Sequence, residues 1–248
     1  MEAIKKYALQ LKLANIKNNH ENMIKEAKIN EMEHKEFLES ILKEEIELRE
    51  KNRISTLLRY AKFPNKLYLE DYRLDHLKPE IKTQVKKIMD LSFIGNKENI
   101  ILFGNPGVGK THLAIGLGVQ ACLENKSVLY ISVPNLMIEI KEAMTLNQIQ
   151  KYKRSFEKYD LVILDELGYI SFEKETSEIL FNLLSNRNEK GSIIITTNLS
   201  FERWSEIFKD QVLTTAIIDR LAYKSHIIDL SGESFRAKET IDWLSKNN

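Results

Sequence analysis

The chain of 248 residues is long enough to bury a substantial core, and its 43% apolar and 29% charged residues are ordinary for a globular protein. A formal net charge of +1 selects no partner by bulk attraction and leaves any nucleic-acid surface to local charge. The single cysteine, Cys122, excludes an internal disulfide framework and a cysteine-rich zinc site, and its place in an apolar helical pattern predicts a buried thiol. No apolar run reaches membrane-spanning length and the charged N-terminus does not read as a signal peptide, so a cytoplasmic protein without a membrane partner is expected.

From residue 1 to about 60 neither glycine nor proline occurs, and twelve Lys and Arg stand against eleven Glu. Apolar residues recur at spacings of three and four: Ile4, Tyr7, Ala8 and Leu11, then Phe37, Leu38, Ile41 and Leu42, then Ile54, Leu57, Leu58 and Ala61. That period predicts two or three amphipathic helices with a break near Asn18–Asn22. This N-terminal all-helical domain, residues 1–62, is either a packed appendage or a module for DNA or a partner protein. Pro64 ends the helical run. A connector over residues 63–90 carries two short helical patterns with Tyr68, Tyr72 and Leu77; its aromatics either pack or stack on a base.

From Ile100 onward short apolar strands alternate with longer helical patterns: NIILF, SVLYIS, LVILD, SIIITTN and a final SHIIDL. Strands alternating with helices predict an α/β fold, a parallel sheet covered by helices on both faces. Such a sheet takes ligands beyond the C-terminal ends of its strands, where the chemical signals fall.

The first signal is Gly104, Asn105, Pro106, Gly107, Val108, Gly109, Lys110 and Thr111, a G-x-x-x-x-G-K-[ST] run followed by His112. An apolar strand leads in and an apolar helix leads out, as a P-loop NTPase requires. Glycines let backbone amides turn onto phosphates and the helix N-terminus adds favourable partial charge. Lys110 is expected to reach the β- and γ-phosphates of ATP, and the Thr111 hydroxyl to ligate Mg²⁺.

The second signal is the adjacent carboxylate pair ending LVILDEL. Asp165 is expected to hold the Mg²⁺, directly or through water, and Glu166 to orient and deprotonate an attacking water. Asp160 precedes the strand and belongs at the other edge of the sheet. Asn198, at the end of the next strand, can hydrogen-bond the attacking water or the γ-phosphate, or serve as a turn and cap residue.

Taken in order, NIILFGNPGVGKTHLA, YDLVILDELGY, GSIIITTNLSFERW, TTAIIDRL and GESFRAKE resemble the IstB-like ATP-binding proteins, ATPase helpers of bacterial insertion sequences. The resemblance spans nearly the whole chain and places it in the AAA+ class, alongside the DnaC helicase loader and the DnaA initiator. It implies an AAA+ ATPase domain over residues 63–248 with a small C-terminal helical lid over about 215–248. It also implies ATP between subunits of a homo-oligomer, with Arg220 as the arginine finger given to a neighbour and Arg236 as a second sensor arginine acting in cis. Arg187 and Arg203 compete for such roles.

The resemblance further implies ATP-dependent assembly on duplex DNA and recruitment of a transposase. Lys141, Lys151, Tyr152, Lys153, Arg154 and Lys158, between the second and third strands, are then the candidate DNA-facing residues; otherwise they form a solvated helix face. A DnaC-like loader of a replicative helicase would share every catalytic residue, and a nucleotide-gated scaffold without turnover is the remaining alternative.

Overall fold

A computed structural model describes residues 2–75, 77–187, 189–232, 234, 235, 237, 240 and 243–245. The chain divides into two compact units, Met1–Thr56 and Leu57–Asn248.

The first unit contains α1 (Glu2–Gln10), α2 (Ala14–Ile29) and most of α3 (His34–Tyr60). The breaks fall at Lys12 and Glu31, both with positive φ, and not at Asn18–Asn22, which lies inside α2. The polar run that reads as a turn instead bonds along the helix. Asn19 Nδ2 donates to Asn15 Oδ1 at 2.6 Å, and His20 Nδ1 lies 3.0 Å from the Ile16 carbonyl. Helix α2 has no side-chain cap at its own Leu13. Glu45 of α3, only 3% exposed, supplies one: its carboxylate accepts from the amides of Ala14 at 2.9 Å and Asn15 at 2.8 Å. A carboxylate at a helix N-terminus satisfies orphan donors and complements the helix dipole.

In the second unit the helical run ends at Tyr60, ahead of Pro64, where Lys62 takes a left-handed conformation. The connector holds a 3₁₀ turn, Leu69–Asp71, and α4 (Pro79–Ile88), then α5 (Ser92–Asn96). There follow β1 (Asn99–Phe103), α6 (Lys110–Leu123), β2 (Val128–Ser132), α7 (Val133–Thr145), α8 (Ile149–Phe156), β3 (Leu161–Leu167), α9 (Lys174–Arg187) and β4 (Ser192–Thr197). A 3₁₀ turn (Phe201–Trp204), α10 (Ser205–Phe208), α11 (Gln211–Ala222) and β5 (Ser225–Asp229) complete the unit. The five strands form one parallel sheet in the order β2-β3-β4-β1-β5. Within the stretch expected as a lid, residues 215–222 thus belong to α11 and residues 225–229 to the sheet itself.

Both sheet faces are dry, which explains why the strands read as unbroken apolar runs. Ile100, Leu102, Val128, Tyr130, Leu161, Ile163 and Ile194 face α6 and the connector. Ile101, Leu129, Ile131, Val162, Leu164, Ile193 and Ile195 face α7 to α11. Each fully buried aliphatic side chain contributes about 1.5–3 kcal/mol. Gly118 allows α6 to lie directly on the sheet, since a Cβ there would come within 2.7 Å of Ile163 Cδ1. Cys122 is fully buried, and desolvation pushes its thiol up to about 12, so it is unreactive packing.

Arg187 is 0% exposed and braces the N-terminal edge of the sheet. It donates to the carbonyls of Phe156 at 2.8 Å, Tyr159 at 2.9 Å and Ser192 at 3.1 Å. Burial lowers its pKa to about 10, opposed by the nearby Asp160 and Glu157. At the same edge Asp160 accepts from the Ser127 amide at 2.8 Å and hydroxyl at 2.7 Å. Burial works to raise the Asp160 pKa, but these bonds with Lys126 and Lys97 outweigh it and leave the pKa lowered.

Replacing Glu45 with Ala removes the cap of α2 and is expected to destabilise the protein by about 2 kcal/mol. A urea titration followed by circular dichroism checks this, and an unshifted midpoint would show that the amides find water at no cost.

Candidate functional site

Strand β1 delivers the chain into the glycine-rich loop at the C-terminal edge of the sheet, and α6 begins at Lys110. Gly109 caps α6 with φ 93°, a conformation costly for any residue with a Cβ, and a Cβ there would also press on the Tyr72 ring at 3.2 Å. Val108 is buried beneath the loop. Lys110 Nζ donates to the carbonyls of Gly104 at 2.7 Å and Asn105 at 2.8 Å, so its ammonium lies against the loop that would cradle phosphates. Amides at the N-terminus of the 14-residue α6 complete an anion-binding concavity.

The carboxylate pair faces this loop and is split. Asp165 is 2% exposed, whereas Glu166 is exposed. The separation is made by the backbone: Glu166 has φ 65°, and the β3–β4 register shifts between Leu164 and Leu167. Such a bulge re-aims a side chain at the end of a strand, and left-handed strain at a non-glycine residue is found where a site needs it. Glu166 therefore turns into the cleft while Asp165 stays in the sheet.

Asp165 is held by hydroxyls. Its Oδ1 accepts from Thr111 at 3.0 Å and from Thr196, and its Oδ2 accepts from Tyr130 at 2.6 Å. The Thr196 oxygen also accepts from the Glu166 amide at 3.0 Å, so one β4 side chain pins both acids. Sequence reasoning missed Thr196 and Tyr130. Their signal was strand alternation: Thr196 and Tyr130 fall on the same sheet face as Asp165, on the strands flanking β3.

Lys110, Thr111, Glu166 and Asn198 line one cleft of about 450 Å³, closed on one side by Tyr72 and Arg73 of the connector. Asn198 follows β4 directly and is exposed, its Oδ1 placed where a Cβ on Gly168 would meet it at 2.8 Å. His112 turns toward the connector, its ring edge-on to Tyr72 at 5.5 Å and its Nε2 3.3 Å from the Tyr68 carbonyl. Tyr72 is itself buried, and desolvation raises its hydroxyl to about 12. A divalent ion against bound phosphates could be held by the Thr111 hydroxyl and the Asp165 carboxylate, hard oxygen donors that suit Mg²⁺. Among the described residues no cluster of three His, Cys, Asp or Glu could hold a metal, so the other ligands would be phosphate oxygens and water.

The remaining candidates lie elsewhere. Arg220, in the last turn of α11, is exposed with its guanidinium 5.1 Å from the Phe181 ring. It borders a small depression with Lys97, Asn99 and Gly191, at the N-terminal ends of β1 and β4. The phosphate loop is at the opposite edge, so Arg220 does not reach its own cleft. Arg187, buried in backbone bonds, is a structural brace with no face for a nucleotide. Arg203 is paired with Glu206 through two bonds of 2.9 Å on the surface. Arg236 lies outside the described residues; its neighbour Phe235 donates its amide to the Gly107 carbonyl at 3.0 Å.

The basic segment separates into two faces of α8. Ile149, Tyr152 and Phe156 point into the core, and the Tyr152 hydroxyl donates to Glu139 at 3.0 Å. Tyr152 is therefore not a free stacking platform. Lys151 and Arg154 lie on the exposed face of α8, Lys158 is exposed in the turn that follows the helix, and Lys153 is half-buried on the flank. Lys141 of α7 is paired with Glu173 at 3.0 Å.

Compared with known proteins, residues 6–242 match the family described as IstB-like ATP binding protein. The ATP-binding protein of insertion sequence IS21 from Pseudomonas aeruginosa is 35% identical over 230 residues, 93% of this chain and 87% of that one. The corresponding protein of IS232 from Bacillus thuringiensis subsp. berliner is 33% identical over 219 residues, 88% of this chain and 86% of that one. The solved DnaC helicase loader, 18% identical, superposes with a TM-score of 0.54 over 65% of this chain and 95% of its own, a likeness of fold. The phosphate loop, the parallel sheet and these matches together identify the chain as a member of the IstB-like ATP-binding family with an AAA+ P-loop fold.

Proposed function

We propose that the protein hydrolyses ATP with Mg²⁺, assembles on duplex DNA through subunit interfaces completed by nucleotide, and recruits or stimulates the transposase of an insertion sequence. The observation that carries hydrolysis is the split acid pair: a buried Asp165 beside Thr111 and an exposed Glu166 in the cleft that holds Lys110. Lys110 and the α6 amides bind and orient the phosphates. Glu166 takes a proton from a water in line with the γ-phosphorus, and Asn198 orients that water or the phosphate. Mg²⁺, when bound, neutralises charge developing on the phosphate oxygens.

Assembly is supported by the position of Arg220. A guanidinium at the opposite sheet edge from its own phosphate loop is useful to hydrolysis only across a subunit contact. Transposition is supported by the insertion-sequence relatives, which match this chain over most of its length. Duplex binding is supported by the exposed Lys151 and Arg154 of α8 and Lys158 of the following turn, which suit phosphate contacts without base reading. Among the described residues no helix is long and apolar enough to cross a membrane.

Glu166→Gln is expected to keep ATP affinity while turnover falls by about a hundredfold or more. Single-turnover phosphate release measures it, and undiminished hydrolysis would remove Glu166 as the base. Arg220→Ala is expected to lower turnover by about a thousandfold. Mixing Arg220→Ala subunits with Glu166→Gln subunits should restore activity at interfaces that combine an intact Glu166 with a neighbour's Arg220; no recovery despite proven co-assembly would contradict a finger acting in trans. Reversing charge at Lys151, Arg154 and Lys158 should flatten the salt dependence of duplex binding by about two to three in log–log slope without changing nucleotide affinity. An unchanged slope would take this face off the DNA.

A further inference from the structure

The Asp165 carboxylate is anchored asymmetrically. Thr111 and Thr196 both donate to Oδ1, and Tyr130 donates to Oδ2. The terminal torsion of an aspartate is broad and two-fold, so the side chain itself imposes little on the carboxylate plane and the donors on its two oxygens set it. Tyr130 supplies the bond at the second oxygen, a restraint that Thr111 and Thr196 do not provide. Tyr130 reaches that oxygen because it pairs with Ile163 in the β2–β3 register, two residues before Asp165, and a long aromatic side chain spans the diagonal. Its own position is secured: it is 9% exposed, its amide donates to the Ala61 carbonyl at 2.8 Å, and its ring lies 6.1 Å from that of Phe63.

We propose that Tyr130 is a positioning residue that sets the orientation of the Asp165 carboxylate, and with it the affinity of the nucleotide complex for Mg²⁺. The proposal rests on the reading of the cleft as an ATP–Mg²⁺ site. Groups that orient a metal-binding carboxylate act on metal affinity through hydrogen bonds of this kind. Tyr130 makes no contact with the nucleotide in this role, so phosphate binding by Lys110 and the loop amides is independent of it.

The test is a fluorescence titration with N-methylanthraniloyl-ATP, with EDTA and across a Mg²⁺ series, on the wild-type full chain and on Tyr130→Phe. The Phe ring keeps the packing of β2 and deletes only the donor. The expected result is a Mg²⁺ half-saturation concentration raised on the order of tenfold in Tyr130→Phe, with unchanged affinity in EDTA and turnover recovered at high Mg²⁺. Tyr130→Leu, which lacks both ring and hydroxyl, should show the same shift in Mg²⁺ dependence, assigning it to the hydroxyl. A Mg²⁺ half-saturation in Tyr130→Phe equal to that of the wild type overturns the proposal and leaves the ATP site standing. Nucleotide binding insensitive to Mg²⁺ in the wild type overturns the reading of the cleft and the proposal with it.

Discussion

The Asp165 carboxylate joins the parts of the molecule that the chemistry needs together. It accepts hydrogen bonds from α6 through Thr111, from β2 through Tyr130 and from β4 through Thr196. A carboxylate buried to this degree is costly to desolvate unless its lone pairs are satisfied, and hydroxyls satisfy them without adding a competing charge. The result is an anion held in place at the mouth of a phosphate loop. Because Thr196 also holds the Glu166 amide, the same joint sets where the second acid projects.

The surrounding fold serves that joint. Parallel strands covered on both faces end their C-terminal edges in one place, and the bulge in β3 then sends neighbouring acids to different environments. The price is a left-handed glutamate, which the Thr196 bond and the packed sheet hold in position. At the other edge, Arg187 and Asp160 close the sheet with backbone bonds, leaving Arg220 on the surface beside them. In the proposed mechanism one subunit therefore carries the cleft at one edge and the completing guanidinium at the other, an arrangement that repeats head to tail.

Local pattern made much of this legible. The alternation of strands and helices, the glycine loop and the paired acids are contiguous in the chain, and each carries its own geometry. What escaped depends on pairing between distant segments. Tyr130 and Thr196 acquire meaning only once β2 and β4 are known to flank β3 in a given register. The break expected at Asn18–Asn22 failed because asparagine and histidine can bond along a helix as well as end one, and Glu45, about thirty residues away, caps α2. Tyr152 looked interleaved with basic residues in sequence, but helical spacing puts it on the face of α8 opposite Lys151 and Arg154.

The proposed mechanism requires that one subunit's cleft be completed by the next subunit's Arg220 when the protein is on DNA. The most direct measurement is an electron cryomicroscopy structure of the protein with a non-hydrolysable ATP analogue and duplex DNA. The expected result is the γ-phosphate between Lys110 and Glu166 of one subunit and Arg220 of its neighbour, with the exposed basic face of α8 toward the duplex. A nucleotide-bound subunit whose cleft is closed without any neighbour's Arg220 would contradict it.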